Sequence, residues 1–113
     1  MVVDSDRADR IFRALADATR RDIVRRAMEG EHSVSALARR YPMSFAAVQK
    51  HVAVLERARL VTKRRRGRVQ LVRGNIDAIR DAHRLLEQFE EMWRSRIDRF
   101  GEVLAEVNEG ATK

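Results

Sequence analysis

The chain has 113 residues, with 24 Lys+Arg against 17 Asp+Glu, a formal net charge of +7 and no cysteine. That length makes one compact domain burying roughly 65% of the unfolded chain's surface. The lack of cysteine excludes disulfides, thiolate metal sites and cysteine nucleophiles together. Apolar runs stop at four residues (Phe45–Val48, Val52–Leu55), far short of the roughly 20 that a bilayer span requires. The opening Met1-Val2-Val3-Asp4-Ser5-Asp6 turns acidic where a signal peptide would be basic. The expectation is a soluble, cytoplasmic protein.

Asp4 and Ser5 are N-cap candidates for a first helix whose stripe is Ala8, Ile11, Phe12 and Leu15. Asp17 can cap a second helix in which Ile23, Val24, Ala27 and Met28 recur at helical spacing, and Gly30 supplies a left-handed stop. Ser33 opens a short third helix with Val34, Leu37 and Ala38 inward. Tyr41-Pro42-Met43 must end it, because proline disfavours helix at the residue before it. Ser44 caps a fourth helix, Phe45 to about Ala58. Helix, tight turn and helix over about 33–58 make a helix-turn-helix pattern.

After Leu60 the rhythm changes. Leu60-Val61-Thr62 and Val69-Gln70-Leu71-Val72 are β-branched-rich, with Arg66-Gly67 between them, which predicts a hairpin over about 60–73 turning at Gly67. Gly74-Asn75 breaks the second strand. A long helical pattern then runs from Ile76 to about Val107, roughly 48 Å at 1.5 Å per residue, before a tail, Asn108–Lys113, expected to fray. Positions 79, 86, 93, 100 and 107 are Ile, Leu, Trp, Phe and Val, and Ala82, Phe89, Ile97, Val103 and Leu104 widen the stripe. A helix longer than its domain cannot bury such a face alone. A homodimer seam explains it economically, with an end-to-end core helix of a monomer as the other reading. The candidate dimer interface is Ile11, Leu15, Leu86, Phe89, Trp93, Ile97, Phe100 and Leu104.

Charge is segregated. Residues 1–75 carry a net +10 and residues 76–113 a net −3, while 41–73 holds nine basic side chains and one acid, Glu56. Such a field suits a polyanion; no single amphipathic basic helix with large aromatics is present to favour a membrane surface. With Val48, Val52 and Leu55 inward, the fourth helix turns out Ala46, Gln49, Lys50 and Ala53, a face slim enough to enter a groove. Gln bonds an adenine edge, Lys reaches guanine or phosphate, and alanine methyls meet thymine methyls. Ser44 stands at the helix N-terminus, where an anion is favoured. Lys63, Arg64, Arg65, Arg66 and Arg68 crowd around Gly67, more than strand-edge protection needs. Their repulsion calls for an anion, and the tip suits phosphates or a minor groove. The candidate DNA-binding residues are therefore Ser44, Phe45, Ala46, Gln49, Lys50, His51, Lys63, Arg64, Arg65, Arg66 and Arg68. His51 reads equally as a DNA-side contact or as a histidine packed against the third helix.

Leu15-Ala16-Asp17-Ala18-Thr19-Arg20-Arg21-Asp22-Ile23-Val24 resembles the opening of the ArsR-type winged helix-turn-helix repressors. Ser33-Val34-Ser35-Ala36-Leu37-Ala38, Ser44-Phe45-Ala46-Ala47-Val48-Gln49-Lys50-His51-Val52-Ala53-Val54-Leu55-Glu56 and Ala58-Arg59-Leu60-Val61 continue the resemblance over about 8–73. It implies a homodimeric repressor paired through its first and last helices, whose helix 44–58 reads operator DNA with positions such as Ser44, Gln49, Lys50 and His51 at or near the duplex. The sequence departs from the family in several places. The Cys-x-Cys metal site that the family's sensors often carry on the helix matching 33–40 is missing. Asp81-Ala82-His83 matches half of another family metal site, but the second half falls on Arg94 and Ile97, and two ligands are too few for a structural zinc. Arg59 stands where a glycine usually ends the recognition helix; a left-handed arginine costs about 1 kcal/mol, which predicts a different ending. Tyr41-Pro42 replaces a common Leu-Gly pair in the turn. No glycine-rich phosphate loop or nucleophile set is present, so no enzyme, catalytic residue, metal or cofactor is expected. Asp22, Asp81 and Glu87 are read as surface partners of Arg26 and Arg84.

The resulting expectation is a mainly α, single-domain winged helix-turn-helix (1–113) of five helices plus a wing, with a long C-terminal dimerisation helix. It would bind double-stranded DNA at a palindromic operator, as a metal-independent homodimer with no membrane partner. The effector is left open. A winged helix docking RNA or a protein partner is the alternative.

Overall fold

A computed structural model describes residues 5–111, with side chains described as far as 108. Asp4, Thr112 and Lys113, on which two expectations fall, lie outside the described residues. The elements are α1 (Ser5–Leu15), α2 (Ala18–Glu29), β1 (His32–Ser33), α3 (Val34–Ala38), α4 (Phe45–Arg57), β2 (Val61–Arg66), β3 (Val69–Gly74) and α5 (Ile76–Ala111). The chain divides into two compact units, one ending at Ala82 and the other starting at His83.

Three predicted caps form by the same local chemistry, a side-chain oxygen accepting an orphan N–H of the first turn. Asp17 accepts from Arg20 N at 2.9 Å, Ser33 from Ala36 N at 3.0 Å and Ser44 from Ala47 N at 3.1 Å. Ser5, by contrast, is the first residue of α1 rather than its cap. Two apolar stripes compete on α1, and Ala8, Ile11 and Ala14 are the ones buried, leaving Phe12 exposed and Leu15 half-buried. The small alanines allow α1 to lie close to its neighbours, which a phenylalanine would hold off.

Gly30 ends α2 without a left-handed turn. Its φ and ψ are both 172°, an extended conformation, and its N–H donates to Arg26 O. Extended residues therefore follow directly, and His32–Ser33 form a two-residue strand paired with Val72 and Leu71 of β3. The wing is thus a three-stranded antiparallel sheet in the order β1-β3-β2 rather than a bare hairpin. The register of β2 on β3 runs from Val61↔Gly74 to Arg66↔Val69, leaving Gly67-Arg68 as a two-residue loop. Gly67 has φ +64° and Arg68 does not share a positive φ, the requirement of a type II′ turn, whose twist matches that of the strands.

The core of the first unit gathers Ile11 and Ala14 of α1, Ile23, Val24 and Ala27 of α2, Val34 and Leu37 of α3, and Val48, Val52 and Leu55 of α4 around Leu60, Val61 and Val72. Ala78 and Ala82 at the start of α5 complete it. In the second unit the side chains of 86–108 are exposed throughout. The helix continues beyond the expected end at Val107 to Ala111, with about 54 Å of axial rise in its 36 residues. Asn108 is helical rather than the start of a frayed tail.

Gly74 is required by close approach. A Cβ built there would stand 2.5 Å from Met28 Sδ and 3.0 Å from Met28 N, so β3 and α2 touch backbone to backbone. Gly74→Ala is expected to destabilise the protein by about 1–3 kcal/mol, measured as a lower urea midpoint at unchanged m-value.

Candidate nucleic-acid interface

The site begins with a buried stripe. Val48, Val52 and Leu55 are at most 1% exposed, and this fixes the rotation of α4 so that Ala46, Gln49 and Lys50 face out, with Ala53 half-exposed. Phe45 is 47% exposed. Gln49 and Phe45 form one wall of a cleft of about 420 Å³; the opposite wall is the wing, through Arg65, Arg68, Val69 and Gln70, and its floor is the start of α3, Ser33–Ser35, with Arg39. No acidic side chain lines it. Arg39, Ser35 and Gln70 were not singled out from sequence; the Arg39-Arg40 pair just before the turn was the signal available.

The five wing cations are not equivalent. Arg64 makes a two-pronged contact with Glu31, Nε to Oε2 at 2.8 Å and Nη2 to Oε1 at 2.9 Å, and Lys63 Nζ lies 3.5 Å from Glu56. The crowding at the hairpin is thus relieved within the chain at its root. The Arg64 guanidinium holds the Glu31 carboxyl below its ordinary range. The side chains of Arg65, Arg66 and Arg68, at the tip, have no hydrogen bond or ion pair among the described residues. Like charges so close repel one another, and the tip is where an external anion relieves most.

Two polar junctions hold the helices that carry this surface. Arg20 donates from Nε to Ala14 O at 2.8 Å and from Nη2 to Arg13 O at 2.9 Å, and its Nη1 lies 3.4 Å from His51 Nδ1. Arg21 donates to Leu15 O at 2.8 Å. The two arginines of the Asp17–Arg21 segment therefore cover the last carbonyls of α1. His51 stands beside Arg20 at the start of α2. The second junction is built on Tyr41 of the α3–α4 turn. Tyr41 Oη donates to Asp22 Oδ2 at 2.6 Å, and Arg25 and Arg26 bond the same carboxylate, each at 2.8 Å. Hydrogen bonds from Tyr41, then Arg25 and Arg26, hold Asp22 far below the ordinary carboxylate range. Burial, then the Asp22 hydrogen bond, pushes the Tyr41 phenol up to about 12.

Ile11 is fully buried within this subunit. It belongs to the chain's own core, whereas its neighbour Phe12 is exposed and Leu15 is half-buried. On α5, Leu86, Phe89, Ile97 and Leu104 are exposed, with Trp93 at 60% and Phe100 at 65%. Met92, Val103 and Val107 extend the same apolar face. The Asp81 carboxylate lies 2.6 Å from Arg7 Nη2, Glu87 lies 3.5 Å from His83 Nδ1, and Glu90 pairs with Arg94. Asp22 bonds Arg26, as expected. Among the described residues no group of three or more His, Cys, Asp or Glu is placed to hold a metal ion, and no helix is long and apolar enough to cross a membrane.

Comparison with known proteins adds to this geometry. The chain matches no family model. Over 59 residues, 52% of its length, it is 51% identical to the HTH-type transcriptional regulator Rv2034 of Mycobacterium tuberculosis, and the match spans about half of that relative (55%). An ArsR-like transcriptional regulator from Rhodococcus sp. RHA1 superposes with a TM-score of 0.80 at 28% identity, over 87% of this chain and 90% of that one. A possible transcriptional regulator for arsenical resistance gives 0.66 at 32% identity, over 78% and 94%. A homodimeric winged helix-turn-helix DNA-binding domain from Mycobacterium bovis, a possible ArsR-family regulator, gives 0.62 at 28% identity, over 76% and 81%.

Removing the Tyr41 hydroxyl tests the turn. Tyr41→Phe is expected to cost about 1–2 kcal/mol at neutral pH, a charge-assisted hydrogen bond that is partly solvent-screened. Asp22 is depressed in the folded state, so its contribution is complete above the unfolded value of about 3.9 and is lost as pH falls. The gap between wild type and Tyr41→Phe in denaturant midpoint should therefore narrow below about pH 4.

Proposed function

The chain belongs to the ArsR family of winged helix-turn-helix transcriptional regulators, and from that premise we propose that it is a homodimeric repressor of a palindromic site on double-stranded DNA, working in the cytoplasm without a metal. The observation that carries this reading is the acid-free cleft shared by Gln49 of α4 and Arg65 and Arg68 of the wing. A slim helix face fits a major groove, while the unpaired arginines beside it take the flanking phosphates or the minor groove. Gln49 carries base choice; Lys50, Arg65, Arg66 and Arg68 supply sequence-independent affinity by counterion release. Ser44 and Phe45 border the entering end of the helix, and Ala46 permits close approach. Lys63 and Arg64 contribute by supporting the wing from its base, and His51 by seating α4 on Arg20.

The dimer rests on α5, whose exposed apolar face repeats at heptad spacing through Leu86, Trp93 and Phe100. The M. bovis neighbour is described as homodimeric, which supports the same assembly here. Two recognition helices would then enter successive major grooves about 34 Å apart. Metal independence is supported by the commitment of Asp81 to Arg7 and by the lack of cysteine.

Gln49→Ala should flatten discrimination among operator variants by about 1–3 kcal/mol at one base pair, whereas Arg65→Ala should weaken all duplexes alike and lower the salt slope by about one unit. Identical behaviour of the two variants, or preference for RNA over duplex DNA in competition at ~150 mM salt, would overturn the reading. For the dimer, Phe100→Asp should convert a two-subunit species into a single subunit in sedimentation at micromolar concentration. A wild-type chain that sediments as one subunit would refute it.

A further inference from the structure

At the far end of α4 a second basic cleft has no part in the surface described so far. Arg7 and Arg10 of α1, with Arg57, Ala58 and Arg59 at the end of α4, enclose about 250 Å³. Among the described residues, one of the four guanidiniums has an acidic partner: Arg7 Nη2 is 2.6 Å from Asp81. Arg10, Arg57 and Arg59 have none among the described residues, so three positive charges converge uncompensated. The α4 carbonyl end brings partial negative charge, which offsets a fraction of one guanidinium and leaves the excess in place.

Arg59 strengthens the case. It is the non-glycine residue held at positive φ, +60°, so the helix ends in the left-handed turn that a glycine would favour, not in a different way. Arg59 N donates to Glu56 O at 3.0 Å and Leu60 N to Leu55 O at 3.0 Å, closing that turn. The side chain at this position lines the cleft. Arg57, in turn, follows Lys50 by seven residues, two turns and about 10 Å along the same outward face.

We infer that this four-arginine cleft binds a phosphate group. Guanidinium forks match phosphate oxygens in pairs, and a cleft of about 250 Å³ has room for a short run of phosphate groups. The phosphate comes either from the backbone of bound DNA or from a free phosphorylated compound. The first source rests on the proposed DNA binding; the second does not.

The test uses full-length protein carrying Arg65→Ala, Arg66→Ala and Arg68→Ala, titrated with inorganic tripolyphosphate by calorimetry. Saturable binding is expected, weakened at least about tenfold, one factor of ten being 1.4 kcal/mol, by further Arg57→Ala or Arg59→Gly. Arg59→Gly relieves the left-handed backbone, so it should melt no lower than its parent, and its loss of binding cannot be ascribed to unfolding. In the second arm, Arg57→Ala in the otherwise wild-type chain should lower the salt slope of duplex binding by about 0.9 if a backbone phosphate fills the cleft. An unchanged slope with tripolyphosphate bound assigns the cleft to a free phosphate compound. Binding of tripolyphosphate by a chain that ignores duplex DNA would retain the cleft while removing the repressor reading. Tripolyphosphate affinity indifferent to both substitutions, together with an unchanged slope, overturns the inference.

Discussion

The surface of this molecule is organised by one constraint: α4 must bury Val48, Val52 and Leu55 completely. These three branched side chains, one turn apart, meet Ile11, Ile23, Leu37 and Leu60 in the same core. Burial of each stabilises the fold by roughly 1.5–3 kcal/mol, more than any exposed contact on the helix can offset. Rotation of α4 about its axis is thereby fixed, and with it the outward direction of Gln49 and Lys50. The polar junctions set what burial leaves free. Arg20 ties α1, α2 and His51 of α4 together, and the Tyr41–Asp22 bond sets the α3–α4 turn against α2.

Electrostatics then distinguishes positions that look alike in sequence. Five cations sit within six wing residues, yet the two nearest the root are matched by Glu31 and Glu56 and the three at the tip are not. The gradient runs from an internally neutralised base to an unneutralised tip, so the free positive charge stands where the sheet is narrowest. The same distinction holds on the helices. Arg20, Arg21, Arg25 and Arg26 are occupied with carbonyls and carboxylates, which makes them part of the scaffold despite their charge.

Features that depend on a few consecutive residues were legible in the sequence. Asp17, Ser33 and Ser44 cap their helices, the stripe of α4 is buried as spaced, and Gly67 turns the hairpin, because each is governed by interactions within four residues. What required the third dimension was not legible. The choice of Ala14 over Phe12 on α1 depends on how closely α1 can approach α2 and α4. A two-residue strand at His32–Ser33 has no pattern of its own and exists through its partner Val72. Gly30 was read as a left-handed stop, but the strand that follows it requires extended backbone. Arg59 was expected to avoid the left-handed region on local cost, and the packing of Leu60 in the core overrides that cost. The partner of Arg64 lies 33 residues away at Glu31, beyond any local rule.

That last pairing carries a consequence for selectivity. Glu31 offers Arg64 two carboxylate oxygens spaced for its guanidinium fork, as a pair of phosphate oxygens would be. Any anion approaching the wing from its base must displace a tethered rival at very high effective concentration, whereas one arriving at the tip meets no competitor. The chain thus carries an internal competitor for anions at Arg64 and, among the described residues, none at Arg65, Arg66 or Arg68.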